Sequence, residues 1–436
     1  MDIMFSKIMS LVGLAVFLTV CVVISNNRGL IKRRVVFWGF GLQAIFATLI
    51  LGIPMIGLPG VLAPVFAKVT DFFSALLEFT RAGTKFLFGT FTGDEYGFVF
   101  ALSALPTIVF LSSLLAVLYH LGVMQKIVQG FATIMYKTMR ISGAESVSAA
   151  ANVFVGQTEA PLLVRPFIQK MTNSELFCLM VGGMTTVAGS VMAIYVGMLS
   201  GLIPDIAGHL LTASVLSAPA AIMIAKVIIP ETGTPETAGG VPKEKSEKID
   251  TNFIEAAARG ASEGMSLAFN VGAMLLAFIA LIFMIDTILG SIGDLIGFGS
   301  WGQNMVADTL KVDGQAKLSL ASIFSWFFAP VAFLLGVPWA DVGSAGALLG
   351  EKIAINEFVA YLHLSQIGDQ ISERTVLIMS YALCGFANFS SIAIQVGGIG
   401  AMAPERRGEL AALGFKSIIG GTLAAFMTAC VANLFI

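Results

Sequence analysis

The sequence predicts an all-α polytopic membrane protein, and three observations lead there. Of its 436 residues, 57% are hydrophobic and only 12% charged, whereas a soluble domain averages about 25% charged residues; mean hydropathy is +0.89. Eight apolar runs approach or exceed the roughly 20 residues that a helix needs to cross a bilayer. Two further segments are apolar but interrupted by polar residues, and they match one another at a fixed offset. Such a chain has no room for a sizeable soluble domain, so an ordinary cytosolic enzyme is excluded.

The apolar runs are 8–24, 35–57, 98–120, 176–203, 206–229, 266–289, 375–399 and 410–435. The first precedes the positive cluster Arg28, Lys32, Arg33 and Arg34 and has no small-residue cleavage site, so it reads as a retained span rather than a signal peptide. In residues 62–87, Lys68, Asp71, Glu78, Arg81 and Lys85 recur among apolar residues at helical spacing. That pattern suits a helix in the membrane interface, and equally a solvated amphipathic helix. Residues 320–335 are apolar but broken by Pro330, and read as non-spanning. Residues 230–250 are rich in Pro, Gly, Thr and charge, so they cannot pack a core and read as a flexible loop between two halves.

With the N-terminus outside, most Lys and Arg fall on the cytoplasmic side. This assumes that 142–167 and 341–364 each enter and leave the bilayer on one side, as re-entrant hairpins do. The expectation is a multi-pass protein of the plasma (inner) membrane with both termini extracytoplasmic. The chain then divides into residues 1–122 (three spans and the interfacial helix, a scaffold), 123–229 (a first repeat), 230–262 (a flexible cytoplasmic loop), 263–290 (a sixth span, also scaffold) and 291–436 (a second repeat).

The repeat appears when the chain is shifted by 198 positions, the distance from Glu159 to Glu357. Ser146 then falls on Ser344, Ala149 on Ala347, Ser174–Glu175 on Ser372–Glu373 and Leu179 on Leu377. Both halves contain a small-residue helix, a polar tip with a glutamate, a Ser-Glu helix start and an apolar helix interrupted by small and polar residues. Three spans separate equivalent points, so the second copy enters the membrane upside down. This is the plan of secondary transporters, whose sites form at discontinuous helices near the midplane.

The chemistry concentrates at these interruptions. Asn152, Gln157, Thr158 and Glu159 stand in apolar surroundings between Gly156 and Pro161, residues that stop and restart a helix. A carboxylate at membrane depth calls for a pathway, an ion or a partner, and Glu159 and Glu357 from inverted hairpins can meet at one central site. Thr185, Thr186 and Ser190 in one broken helix, and Asn388, Ser390 and Ser391 in the other, offer oxygens for a weakly held Na⁺ and donors and acceptors for a polyhydroxylated solute. Thr185 and Ser390 fit small-residue packing better, and Phe386 suits ring stacking or packing equally. Cys21, Cys178, Cys384 and Cys430 lie in apolar runs without metal spacing and read as packing residues. His120, His209 and His363 are scattered, Glu351 and Lys352 read as a local pair, and a net charge of −2 without a basic tract gives no sign of a nucleic-acid partner.

The strings GQTEAPLLVRPF (156–167), NEFVAY (356–361) and CGFANFSSIAI (384–394) resemble the concentrative nucleoside transporter family, in its bacterial, sodium-coupled type. The likeness runs from about Leu11 to the C-terminus. It implies a homotrimer in the lipid bilayer whose protomers each have eight transmembrane helices, two re-entrant hairpins and an interfacial helix. It also implies transport rather than catalysis, with a nucleoside (uridine-like or purine) as substrate, Na⁺ as the coupling ion and no other cofactor. By the same resemblance Gln157, Thr158 and Glu159 contact the nucleobase, with Val191 packed beside it. Glu357, Asn388 and Ser391 contact the ribose hydroxyls, and Phe386 forms an apolar wall. Na⁺ falls to Asn152, Val155, Thr186 and Val187, with Thr186 standing where Ser is expected and retaining the hydroxyl. Proton-coupled relatives tend to have GQSE and lack the asparagine, so GQTE with Asn152 favours sodium. The alternatives are a proton-coupled transporter of the same fold and, more remotely, an intramembrane hydrolase or a passive channel.

Overall fold

The computed structural model describes residues 3–53, 57–92, 100–103, 105–242 and 250–436. Parts of the expected runs 35–57 and 98–120, and residues 243–249 of the expected loop with Lys243, Lys245 and Lys248, lie outside the described residues. Among the described residues the regular structure is helical, apart from isolated bridges at Ile53–Leu58 and Val312–Gln315. We number the helices of ten residues or more.

The N-terminal part holds α1 (Ile3–Val23), α2 (Arg33–Leu51), α3 (Ala63–Phe88), α4 (Leu105–His120) and α5 (Val123–Met139). Helix α3 coincides with the expected amphipathic segment and buries Phe73, Leu76, Thr80 and Thr84, one stripe at spacings of three and four. Helix α5 was not foreseen. It turns 77° from α4 through Gly122, whose φ of +76° favours glycine. It buries Met124, Val128, Ala132, Met135 and Met139 and leaves Lys126 and Lys137 outside that face. A search for runs of uniform hydrophobicity passes over such a helix, because only one of its faces is apolar.

The first repeat continues with α6 (Gly143–Asn152), α7 (Asn173–Thr185), α8 (Gly189–Leu199) and α9 (Ile206–Ile228); α10 (Phe253–Leu295) follows. The second holds α11 (Leu320–Leu334), α12 (Val342–Ala354), α13 (Glu357–Ile367), α14 (Glu373–Ala382), α15 (Phe389–Met402) and α16 (Arg407–Phe435). Helix α11 has 15 residues, about 22 Å at 1.5 Å per residue, too short for a hydrocarbon core of about 30 Å. It packs along α12, where a Cβ on Gly346 or Gly350 would strike Ser325 or Phe324.

The repeat survives with one adjustment. Starts of equivalent helices lie 200 positions apart, Asn173 with Glu373 and Gly189 with Phe389, not the 198 that aligns the glutamates. Thr172, not Ser174, caps α7, in a box with Glu175, and Ser372 caps α14.

Among the described residues, six helices are long and apolar enough to cross a membrane, counting α7–α8 as one, or up to seven if the bent pair α4–α5 is one span. Of the eight expected spans, the third is represented by the 16 residues of α4 and the seventh by α14 and α15, of 10 and 14 residues around a break. Burial separates two populations: the apolar window of the broken helix α7–α8 is 100% buried and that of α9 94%, while that of α10 is 11% buried. The core is thus the first broken helix, the hairpins, α14, α9 and most of α16, while α15 buries only one face, with Ser391, Gln395, Ile399 and Gly400. Helix α10 has 43 residues and lies along α4 by a stripe of small residues, where a Cβ added to Gly260 or Gly264 would meet Ser112 or Val109 at under 3 Å.

Candidate functional site

Both broken helices open where the sequence loses helical preference. Helix α7 ends at Thr185, Thr186 is extended (φ −121°, ψ 165°), and α8 restarts after Ala188. Helix α14 ends at Ala382, and α15 restarts after Asn388, whose side chain accepts the Ser391 N–H at 3.0 Å. The two breaks touch. Gly385 has φ +146°, and a Cβ there would lie 2.8 Å from the Thr185 carbonyl oxygen. The tip of the first hairpin is fastened to the first break by a hydrogen bond from the Gly189 N–H to the Phe154 carbonyl, 3.0 Å.

Around this crossing lies a cavity lined by Gln157, Thr158, Glu159, Val191, Glu357, Phe386, Asn388 and Ser391. All eight residues expected at a substrate site therefore border one space. Glu357 is buried at the first turn of α13 and accepts hydrogen bonds from the Tyr195 hydroxyl (2.9 Å) and the Asn388 amide (3.0 Å). Gln157 donates to the Ser391 hydroxyl at 3.1 Å, joining the hairpin of one repeat to the broken helix of the other. Its amide oxygen is buried without a partner among the described residues, an acceptor left over for a donor in the cavity. Glu159 is exposed, and one of its oxygens accepts the Gly156 N–H at 3.1 Å.

Behind the cavity, Asn152 at the end of α6 is 1% exposed, and neither its amide oxygen nor its nitrogen has a hydrogen-bond partner among the described residues. A buried, unsatisfied amide is costly, and a cation is one group that would satisfy its oxygen. Thr186 lies on the break and its hydroxyl donates to the Gly182 carbonyl at a long 3.4 Å. A Cβ on Gly182 would come within 3.2 Å of the Asn152 nitrogen. Val155 and Val187 occupy the non-helical stretches on either side.

Three family models cover the chain: "Na+ dependent nucleoside transporter N-terminus" over residues 12–91, "Nucleoside recognition" over 101–202 and "Na+ dependent nucleoside transporter C-terminus" over 209–433. The chain belongs to the Na⁺-dependent nucleoside transporter family. Among its relatives, an uncharacterized transporter of Haemophilus influenzae is 43% identical, covering 99% of this chain and 98% of the relative. The nucleoside permease NupC of Helicobacter pylori is 37% identical with coverage of 99% and 98%. The solute carrier family 28 member 3 of Homo sapiens is 38% identical over 98% of this chain and 60% of the relative. An inward-facing, substrate-bound structure of CNTnw superposes with a TM-score of 0.86 at 41% identity, covering 99% of this chain and 98% of that one. The expected all-α polytopic membrane fold, the transporter family and the non-enzymatic class are all borne out.

Within this family member, several side chains stand apart from their expected places. Tyr195 was not foreseen: four residues after Val191 on α8, it lines the cavity, holds Glu357 and stacks on Tyr361 at 4.2 Å. Ser390, read as a packing residue, also lines the cavity and donates to the Asn388 side-chain oxygen at 2.7 Å. Glu351 and Lys352 do not pair. Glu351 meets His363 at 2.9 Å, and the Lys352 ammonium donates to the Ala382 carbonyl at 2.8 Å. Leu267, Val271, Met274 and Leu275, one face of α10, close the cavity opposite the hairpins.

A second cavity, at the start of α6, is lined by Lys32, Arg140, Ser142, Glu145, Lys226 and Glu231 among others. Its central charges satisfy one another: buried Lys226 pairs with Glu145, donates to the Ser174 hydroxyl at 2.9 Å and to Glu231 at 3.0 Å. Part of the expected flexible loop is fixed here, since Thr237 accepts the N–H groups of Gly143 and Ala144 at 3.0 Å each. Partial burial opposes the Glu231 charge, but the Lys226 ammonium, the Gly233 N–H and the Thr172 hydroxyl together hold its carboxyl below the usual carboxylate range.

Proposed function

We propose that this secondary transporter of nucleosides works as a Na⁺/nucleoside symporter, importing its substrate through the cavity between the two hairpins. The observation that carries the reading is the convergence of residues from both repeats on one space, with the unsatisfied amide of Asn152 behind it. Gln157, Thr158 and Glu159 are assigned to the nucleobase with Val191 beside it, Glu357, Asn388 and Ser391 to the ribose hydroxyls, and Phe386 to the apolar wall. A carboxylate accepts hydrogen bonds from vicinal hydroxyls, and an amide matches the paired donor and acceptor edge of a base. Na⁺ is assigned to the Asn152 side chain, the Thr186 hydroxyl and the backbone carbonyls of Val155 and Val187.

In this mechanism Na⁺ bound at Asn152 ties α6 to the first break and fixes the tip that carries Gln157 and Glu159. The nucleoside then bridges the tip and the second repeat. The two hairpins and the broken helices α7–α8 and α14–α15 move together against a scaffold of 1–122 and 263–290, exposing the cavity alternately. Sodium raises nucleoside affinity by favouring the competent tip, and linkage requires nucleoside to raise sodium affinity by the same factor. The family resemblance and the exposed apolar faces of α3 and α10 support a homotrimer. The distribution of Lys and Arg supports extracytoplasmic termini.

In proteoliposomes, uridine accumulation is expected with an inward Na⁺ gradient and not when choline replaces Na⁺ at fixed pH. Accumulation that follows a proton gradient in choline would transfer the coupling to H⁺. Glu159→Gln and Glu357→Gln are each expected to lower uptake at least tenfold without lowering the melting temperature. Normal transport by both would remove the substrate assignment.

A further inference from the structure

Lys352 is fully buried in the second hairpin, and the mechanism above gives it no part. Its ammonium donates to the carbonyl of Ala382, the last residue of α14, and faces the ring of Phe426 at 5.9 Å. The last carbonyls of a helix carry partial negative charge and lack partners within that helix. Inside a membrane protein they must find one in the fold. The first repeat has the same arrangement of elements: the end of hairpin helix α6 meets the end of α7, the first half of its broken helix. There the side chain that reaches across is Asn152, neutral and without a partner among the described residues. In the second repeat the last turn of α12 reaches the end of α14 with a positive charge of its own.

We propose that the Lys352 ammonium is a tethered cation occupying, in the second repeat, the seat that Na⁺ takes in the first. The two hairpins are then organised by equivalent charges, one diffusible and one covalent, so the protein couples to a single Na⁺. The helix end it holds leads through the second break to Asn388, whose amide donates to Glu357, which links this seat to the ribose side of the cavity. Lys352 is thus a positioning residue: it touches no substrate and holds the second break in the form that presents Asn388 and Ser391. The proposal rests on the assignment of Na⁺ to Asn152.

The test compares full-length wild type with Lys352→Arg, Lys352→Met and Lys352→Ala in proteoliposomes, measuring the ratio of ²²Na⁺ to uridine taken up and the steepness of Na⁺ activation. Melting temperatures in Na⁺ and in choline are recorded for each. Wild type is expected to take up about one Na⁺ per nucleoside. Arg, which keeps the charge, retains uptake and ratio, while Met, which fills the volume without charge, loses uptake at least tenfold. Ala opens the seat, so Na⁺ raises its melting temperature by more than in wild type, and any remaining uptake shows a ratio moving toward two. Wild-type uptake by the Met variant overturns the proposal, as does an Ala variant whose thermal response to Na⁺ equals that of wild type. A wild type indifferent to Na⁺ sinks the sodium reading instead, and the contrast between Arg and Met then still decides whether a charge is required at 352.

Discussion

Glu357 is the side chain on which most of the cavity depends, and it is held from two directions, by the Tyr195 hydroxyl and the Asn388 amide. A hydrogen bond to a charged group contributes about 1.5–3 kcal/mol, so Tyr195→Phe is expected to raise the KM for nucleoside roughly tenfold or more. The ring and its stacking on Tyr361 remain, so the melting temperature should change little. An unchanged KM would mean that the bond contributes equally with and without substrate. The sequence exposed Glu357 because so few charges stand among so many apolar residues. It hid Tyr195, since a tyrosine in an apolar helix has the composition of packing, and only the contact across repeats reveals its hydroxyl. Lys352 was misread for a related reason. A carboxylate beside it in sequence suggests a pair, but neighbours on a helix point about 100° apart, and each found its partner elsewhere.

At the scale of elements, the breaks in α7–α8 and α14–α15 were legible from small and polar residues inside spans of apolar length. Their contact was not, because it depends on the angle at which two half-helices cross. Gly385 is where that contact is made. Gly385→Ala adds a Cβ against the Thr185 carbonyl and forces an unfavourable φ, so nucleoside transport and the melting temperature should both fall. A variant that keeps both would show that the breaks can separate. Helix α5 escaped detection because its signal is a stripe rather than a run, and the 198-residue offset needed correction because two extra residues enter between the second tip and its helix start. The loop after α9 read as flexible from composition, yet Thr237 and Glu231 bind it to the first hairpin and to Lys226. Since the Glu231 carboxyl lies below its ordinary value of 4.5, the stability it lends is present above that pH and disappears as the pH falls further. Glu231→Gln should therefore lower the melting temperature at neutral pH by several degrees and flatten its decline in acid. An identical pH profile would remove Glu231 from the cluster's stability.

Across the whole molecule, burial sets the first broken helix α7–α8, α9 and most of α16 apart from the exposed α10. Composition made the membrane class evident, but it could not say which spans would move in the proposed mechanism. The cavity lies between the two sets: Val191 belongs to one and Val271 to the other. Cysteines at both positions, joined by a short bifunctional reagent, should stop uptake, and a reducible reagent should allow recovery on reduction. Full cross-linking with normal uptake would rule out relative movement there. The face that α10 turns to the cavity, Leu267, Val271, Met274 and Leu275, has no polar side-chain group apart from a thioether. In the proposed mechanism, a nucleoside carried past it would have no hydrogen bonds to break with the scaffold, whereas its assigned polar partners would travel with it. On that mechanism the wall would behave as a lubricated bearing: it would confine the cargo sideways while presenting nearly the same friction at every height, and its lack of features would keep intermediate positions from becoming traps.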